Sequence, residues 1–102
     1  MKVIWTKNAY GALSEIYKYY KRNANVNVAK KVRDQLIYST KQLDKFPLSG
    51  PIEEYIIELD EEHRYLTRGN YKIIYKIMNS NVFITDVFDT RQNPEELKIR
   101  NK

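Results

Sequence analysis

Residues 63–93, HRYLTRGNYKIIYKIMNSNVFITDVFDTRQN, restrict the fold more than any other stretch of this chain. Three runs rich in β-branched and aromatic residues, 63–68, 71–78 and 82–89, follow one another almost without pause. Such side chains suit a pleated, half-buried surface. The connections, Gly69-Asn70 and Asn79-Ser80-Asn81, are made of residues that tolerate tight hairpin turns. The stretch therefore predicts a three-stranded antiparallel meander. The period of two sorts its side chains between faces. Arg64, Leu66 and Arg68 share one face of the first run, and His63, Tyr65 and Thr67 the other. In the second run Tyr71, Ile73, Tyr75 and Ile77 form the core face, with Ile74 and Met78 opposite and Lys72 and Lys76 facing out. One sheet face is expected to pack on a core, leaving the other free to carry function.

The residues before the meander supply the core. Lys2 to Trp5 is too short for a helix and reads as a strand. Thr6 can cap the helix that follows, on which Ala9, Ala12, Leu13, Ile16, Tyr17 and Tyr20 form one apolar stripe. Gly11 weakens this helix slightly, and Asn23-Ala24-Asn25 ends it. Asn25 or Asn27 can cap a second helix, with Val28 or Ala29, Val32, Leu36, Ser39/Thr40 and Leu43 on its inner face and Lys30, Lys31, Arg33 and Lys41 outside. The short break between the helices predicts an antiparallel hairpin. Phe46-Pro47-Leu48-Ser49-Gly50-Pro51 is a loop by its prolines and glycine. Residues 52–62 are ambiguous, because Tyr55, Ile56, Ile57 and Leu59 suit a helical turn or a brief strand equally. Pro94, Glu95-Glu96, Lys98 and Arg100 predict a short C-terminal helix. The order β–α–α–β–β–β implies a two-layer α+β fold, and the 102 residues are expected to form a single domain.

Composition excludes several classes of function. The chain has no cysteine, so disulfide frameworks and thiolate metal or redox sites are absent. No apolar run approaches the roughly 20 residues of a membrane span, and the N-terminal apolar run is too short for a signal peptide. A cytoplasmic protein without membrane partners is the expectation. Charge is unevenly laid out. Residues 1–46 hold ten Lys/Arg against three Asp/Glu, residues 47–63 hold six acidic residues and no Lys or Arg, and residues 64–102 hold eight basic and four acidic residues. A basic body of this kind suits an anionic partner. It equally suits an ordinary Lys-rich surface.

Little else in the sequence carries chemistry. One histidine and no cysteine leave only carboxylate-rich metal sites, and neither Glu53-Glu54 nor Asp60-Glu61-Glu62 has a spacing that would aim them. These acids read as a solvated loop, and no metal or cofactor is expected. No serine sits in a nucleophile elbow, and Gly11, Gly50 and Gly69 are too isolated to cradle phosphate. The basic residues Arg64, Arg68, Lys72, Lys76 and Arg91 are what remains. Cations on a sheet face can bind phosphates or neutralise charge developing at a scissile phosphate. The alternative is solvated strand residues that discourage edge pairing. For Arg91 the alternative is an ion pair with Asp89 or Asp86. Tyr10, Tyr17, Tyr19, Tyr20 and Tyr38 read as core or rim residues of the helices.

The chain resembles the RelE/ParE superfamily of bacterial type II toxin–antitoxin toxins. The resemblance rests on Trp5-Thr6 with Ala9 and Leu13, Phe46-Pro47 with Gly50, Arg64, the segment GNYKIIY from Gly69, and VFDTRQNP from Val87. It implies a helical hairpin against an antiparallel sheet, and two candidate activities. ParE-like members bind and poison DNA gyrase. RelE-like members are metal-independent endoribonucleases that cleave mRNA on the ribosome, which requires a base, an acid and cations around the phosphate. On the second reading Arg64, Lys72, Arg91 and His63, with Tyr65 as a further candidate, would form the catalytic site. The tail after Arg91 lacks the Tyr or His common in RelE-like enzymes. The spacing from Val87 to Arg91 is closer to the ParE type, although Asp89 stands where a His is common. The expectation is a ParE-like gyrase inhibitor neutralised by a cognate antitoxin, with Arg64, Arg68, Lys72, Lys76 and Arg91 contacting target or antitoxin. The ribosome and mRNA are the alternative partners. An inactive interaction module is the third reading.

Overall fold

The structure, a computed structural model, describes residues 1–54 and 62–92. The ambiguous residues 55–61 and the expected C-terminal helix from Pro94 lie outside the described residues. Strand β1 (Lys2–Trp5) leads into helix α1 (Lys7–Asn23), and helix α2 (Val26–Ser39) follows. The meander is β2 (His63–Arg68), β3 (Tyr71–Met78) and β4 (Asn81–Asp89). The strands form one sheet in the order β1-β4-β3-β2, with β1 parallel to β4 and the other pairs antiparallel. This is the expected α+β architecture, with β4 beginning one residue earlier than the sequence suggested.

Local chemistry accounts for the boundaries. The Thr6 hydroxyl accepts from the Ala9 N–H at 3.2 Å and so caps α1. The same hydroxyl donates to the Ile84 carbonyl at 2.8 Å, and Asn8 donates to the Thr85 carbonyl, so the start of α1 is tied to β4. Asn25, not Asn27, caps α2 by accepting from the Val28 N–H at 2.9 Å. After Ser39 the helix tightens into a 3-10 turn over Thr40–Asp44, which buries Leu43 under the sheet. The β3–β4 turn places Asn79 and Ser80 at φ 51° and 60°, and Gly69 holds φ 58° in the β2–β3 turn. Both connections are the left-handed conformations that tight hairpins require.

The helices pack on one sheet face. Ala9, Leu13, Leu36 and Leu43 meet Tyr71, Ile73, Tyr75, Val82, Ile84 and Val87 there. The opposite face departs from expectation. It was predicted to be free, but Ile74 and Phe88 are buried against each other with Tyr65 packed on them. His63, Glu53 and Asp86 are also buried. The reason lies partly in β4. The register slips between Ile74, opposite Asp86, and Tyr75, opposite Ile84, leaving Thr85 as the extra residue of a bulge. The bulge keeps Ile84 and Val87 both on the helix side, and sends Asp86 and Phe88 to the other. Ile52 bridges Arg64, and the Glu53 N–H donates to the His63 carbonyl at 2.8 Å, so residues 52–53 line the outer edge of β2.

Candidate functional site

The sequence-predicted cations fall into separate environments. Lys72 lies on the sheet face away from the helices, but it does not project freely into solvent. Its ammonium pairs with Glu53 at 2.9 Å and sits 4.3 Å from the centre of the Tyr65 ring. Its side chain is 23% exposed and that of Glu53 2%. Glu53 is therefore no solvated loop acid, and the outward reading of Lys72 is corrected by this buried pair. Lys76 is half-buried opposite His63 in the β2–β3 register, and His63 itself is 2% exposed. Arg68 is exposed at the end of β2.

Arg64 shares the helix-side face with Leu66. Its guanidinium donates to the Gly50 carbonyl at 2.8 Å and pairs with Glu62 at 3.1 Å. It thus fastens the loop at 46–50 to β2. Arg91 lies toward the opposite end of the strands, just past Asp89, which pairs with Tyr71. Arg64 pairs with Tyr75, four residues further along β3, or about 13 Å at ~3.3 Å per strand residue. The four candidate catalytic residues are consequently not brought together. Lys72 and His63 lie on one sheet face, while Arg64 and Arg91 lie on the other, at separate ends.

Arg91 borders a groove of about 1050 Å³ between α1 and the ends of β3 and β4. Gly11, Ala12, Ile16 and Tyr19 of α1 face Tyr71 and Val87, with Lys7, Glu15, Asp89 and Gln92 around them. A Cβ on Gly11 would meet nothing within 4 Å, so the glycine leaves the helix wall open. Asp89 takes two bonds from the Arg91 guanidinium, at 2.7 and 3.0 Å, and one from its backbone N–H at 2.9 Å. The bonds from Arg91 hold the Asp89 carboxyl below the ordinary aspartate value, and the same bonds push the guanidinium still higher. A bidentate pair of this kind fixes the orientation of an exposed arginine. Deeper in the groove, burial raises the Tyr71 hydroxyl well above the ordinary tyrosine value, helped by its bond to Tyr20 at 3.4 Å. An apolar floor with an oriented cation at its lip can seat an amphipathic segment with a carboxylate at its edge. The sequence reading missed Gly11, Tyr19 and Tyr71 as groove residues. The one signal was a glycine within an otherwise regular helical pattern.

The comparisons agree with this architecture. A family model for the ParE toxin of the type II toxin–antitoxin system parDE matches residues 3–94. The chain belongs to the ParE toxin family. A solved structure described as the chromosomal ParDE TA system from P. aeruginosa superposes with a TM-score of 0.73 at 21% identity, covering 87% of this chain and 95% of that one. At that identity the likeness speaks for the fold. No curated protein matches the sequence significantly. The groove beside α1 and the fastened loop at 46–50 each hold side chains that are both positioned and accessible. Among the described residues no three His, Asp or Glu side chains gather as a metal site would require, and no helix is long and apolar enough to cross a membrane.

Proposed function

We propose that this ParE-family toxin acts in the cytoplasm by binding DNA gyrase, and that a cognate antitoxin neutralises it. The observation that carries the reading is the dispersal of Arg64, Lys72, Arg91 and His63 over two sheet faces, with His63 buried and Lys72 engaged by Glu53. Cleavage by a ribose 2′-hydroxyl needs a base, an acid and cations within hydrogen-bond reach of one phosphate. Scattered and engaged groups suit recognition instead. The groove beside α1 supports the antitoxin part of the reading. Its apolar floor, with the oriented Arg91 guanidinium and Lys7 at its edge, suits a partly disordered amphipathic segment that folds as it binds.

The test is to add the purified protein to gyrase and relaxed plasmid, and in parallel to induce it in cells while following translation and mRNA ends. Loss of supercoiling or trapped DNA breaks, with mRNA intact, is the expected result. Codon-positioned mRNA cuts with intact DNA would show the protein to be a ribosome-dependent nuclease.

A further inference from the structure

The loop at residues 46–50 combines two properties that rarely coincide. It is firmly held, and it presents apolar side chains to water. The Tyr75 hydroxyl donates to the Pro47 carbonyl at 2.8 Å and accepts from the Gly50 N–H at 2.9 Å. Arg64 holds the Gly50 carbonyl, and the Gln42 amide donates to the Ser49 hydroxyl at 3.0 Å. The Ser49 N–H closes the turn onto the Phe46 carbonyl at 3.1 Å. Gly50 is so tightly enclosed that a Cβ there would run into the Tyr65 carbonyl and lie 2.8 Å from the Tyr75 hydroxyl. On this fixed frame Phe46 is 64% and Leu48 63% exposed. A single exposed apolar residue needs no explanation, but two on one rigid loop do. Ordering a loop before contact removes much of the entropic cost of binding, and apolar anchors on rigid frames are what binding hot spots are made of.

On its β2 side the loop meets Glu62, which is taken up by Arg64 at 3.1 Å, so the side of the preceding turn says what kind of partner fits. Lys45 precedes the loop and has no carboxylate partner among the described residues. Lys41, on the preceding 3-10 turn, rests over the Tyr38 ring at 5.2 Å. The acid of that turn, Asp44, is taken up by the Met1 ammonium at 3.3 Å. We propose that Phe46 and Leu48 are the anchors by which the toxin docks on its protein target, entering an apolar pocket rimmed by carboxylates that meet Lys41 and Lys45. This rests on the target being a protein, as proposed above, and places target docking about 13 Å along the strands from the groove at Tyr71.

The deciding variant is Phe46→Ala/Leu48→Ala, with Lys45→Glu as a second that leaves the loop's apolar side chains in place. Melting temperature and circular dichroism check that each is folded. Growth arrest at matched soluble levels, and inhibition of purified gyrase, are then measured for each. The expected result is a loss of about 30-fold or more in potency for the double variant, the size of a hot-spot truncation, and a smaller loss for Lys45→Glu. A folded double variant that is as toxic as wild type overturns the docking loop while leaving gyrase inhibition to stand on its own assay. If the wild type arrests growth without inhibiting gyrase, and the double variant does not arrest growth, the loop stands and the gyrase reading falls. A wild type that does neither overturns both. Self-association by sedimentation, or binding to phosphatidylserine vesicles, that disappears in the double variant while its toxicity persists would assign the loop to a second copy or to a lipid surface and overturn target docking. Should the double variant not fold, unchanged potency of Lys45→Glu overturns the charged rim and the proposal with it.

Discussion

At the scale of single residues, the two α-carbons without side chains at positions 11 and 50 have opposite meanings. Gly50 is fixed by its neighbours, because any Cβ would meet the Tyr65 carbonyl and the Tyr75 hydroxyl. Gly50→Ala is expected to cost about 1–3 kcal/mol through overpacking. Gly11 faces open space on a helix, so Gly11→Ala should stabilise the fold by roughly 0.5–1 kcal/mol through helix propensity. Urea denaturation of the two variants checks both signs. Gly11→Ala also adds a methyl to the groove wall, so antitoxin affinity should move independently of stability. Arg91 is a surface residue whose only described ionic partner is Asp89. Arg91→Ala is expected to lower the melting temperature only slightly near neutral pH, by the loss of this exposed pair, and to weaken toxicity or antitoxin binding well beyond that. Its direct signature is on Asp89. With Arg91 present the carboxyl titrates below the ordinary aspartate value, and in the variant an NMR titration should find it moved back upward. The sign for stability follows. The Asp89 contribution is fully present above the unfolded aspartate value and is lost as pH falls through the depressed native one. The Asp89–Arg91 pair was legible in the sequence because the two residues are only two apart. Gly11 was legible only as a weak point in a helix, since its role needs Tyr71 opposite it.

At the scale of elements, the strands could be read to within a residue because alternation and turn residues agreed. The two faces of the sheet could not. Alternation predicts which residues share a face, but the bulge at Thr85 shifts β4, and what covers a face depends on distant residues. Lys72 looked solvent-facing because Glu53, its partner, lies 19 residues earlier in a segment with no regular pattern. The pair makes Lys72 a structural residue first. Lys72→Met leaves a nearly buried Glu53 without that ammonium, and is expected to cost about 3 kcal/mol. Toxicity should fall only in step with the folded fraction measured by thermal melts. A toxicity loss in fully folded protein would instead give Lys72 a direct role. The core face of β3 carries a second prediction. Burial raises the hydroxyls of both Tyr71 and Tyr75. As pH rises past the ordinary tyrosine value near 10, the unfolded chain ionises first, so stability falls until the raised native values are passed. Urea midpoints between pH 8 and pH 11 should drop accordingly. Tyr75→Phe should be less stable at neutral pH by about 1–3 kcal/mol, from the Gly50 N–H and Pro47 carbonyl it leaves unbonded, and should lose less on going to pH 11.

For the whole molecule, the charge layout acquires a location. The ten basic residues among positions 1–46 lie on β1, the two helices and the turn that follows them, all of which pack on one side of the sheet or at its edge. The sequence showed this excess but not that α1 forms one wall of the groove, which exists only once β3 and β4 are set against the helix. Groove and basic helices thus belong to one side of the molecule. An acidic segment approaching the groove passes through the field of Lys18, Lys21 and Arg22 before it makes contact. Charges of this kind act on encounter more than on residence. Association with the cognate antitoxin, followed by stopped flow, should slow by about tenfold or more as salt rises from ~50 to ~500 mM, while dissociation changes little. Reversing Lys18, Lys21 and Arg22 to glutamate should flatten that salt dependence. The protein should stay folded, with a modest drop in melting temperature because Lys21 and Arg22 complement the dipole in the last turn of α1 and Lys18 pairs with Glu15. An association rate indifferent to salt, or a salt dependence that survives the triple reversal, would place the encounter on another surface. In that case the basic side of the helices would be a solvated face and no more.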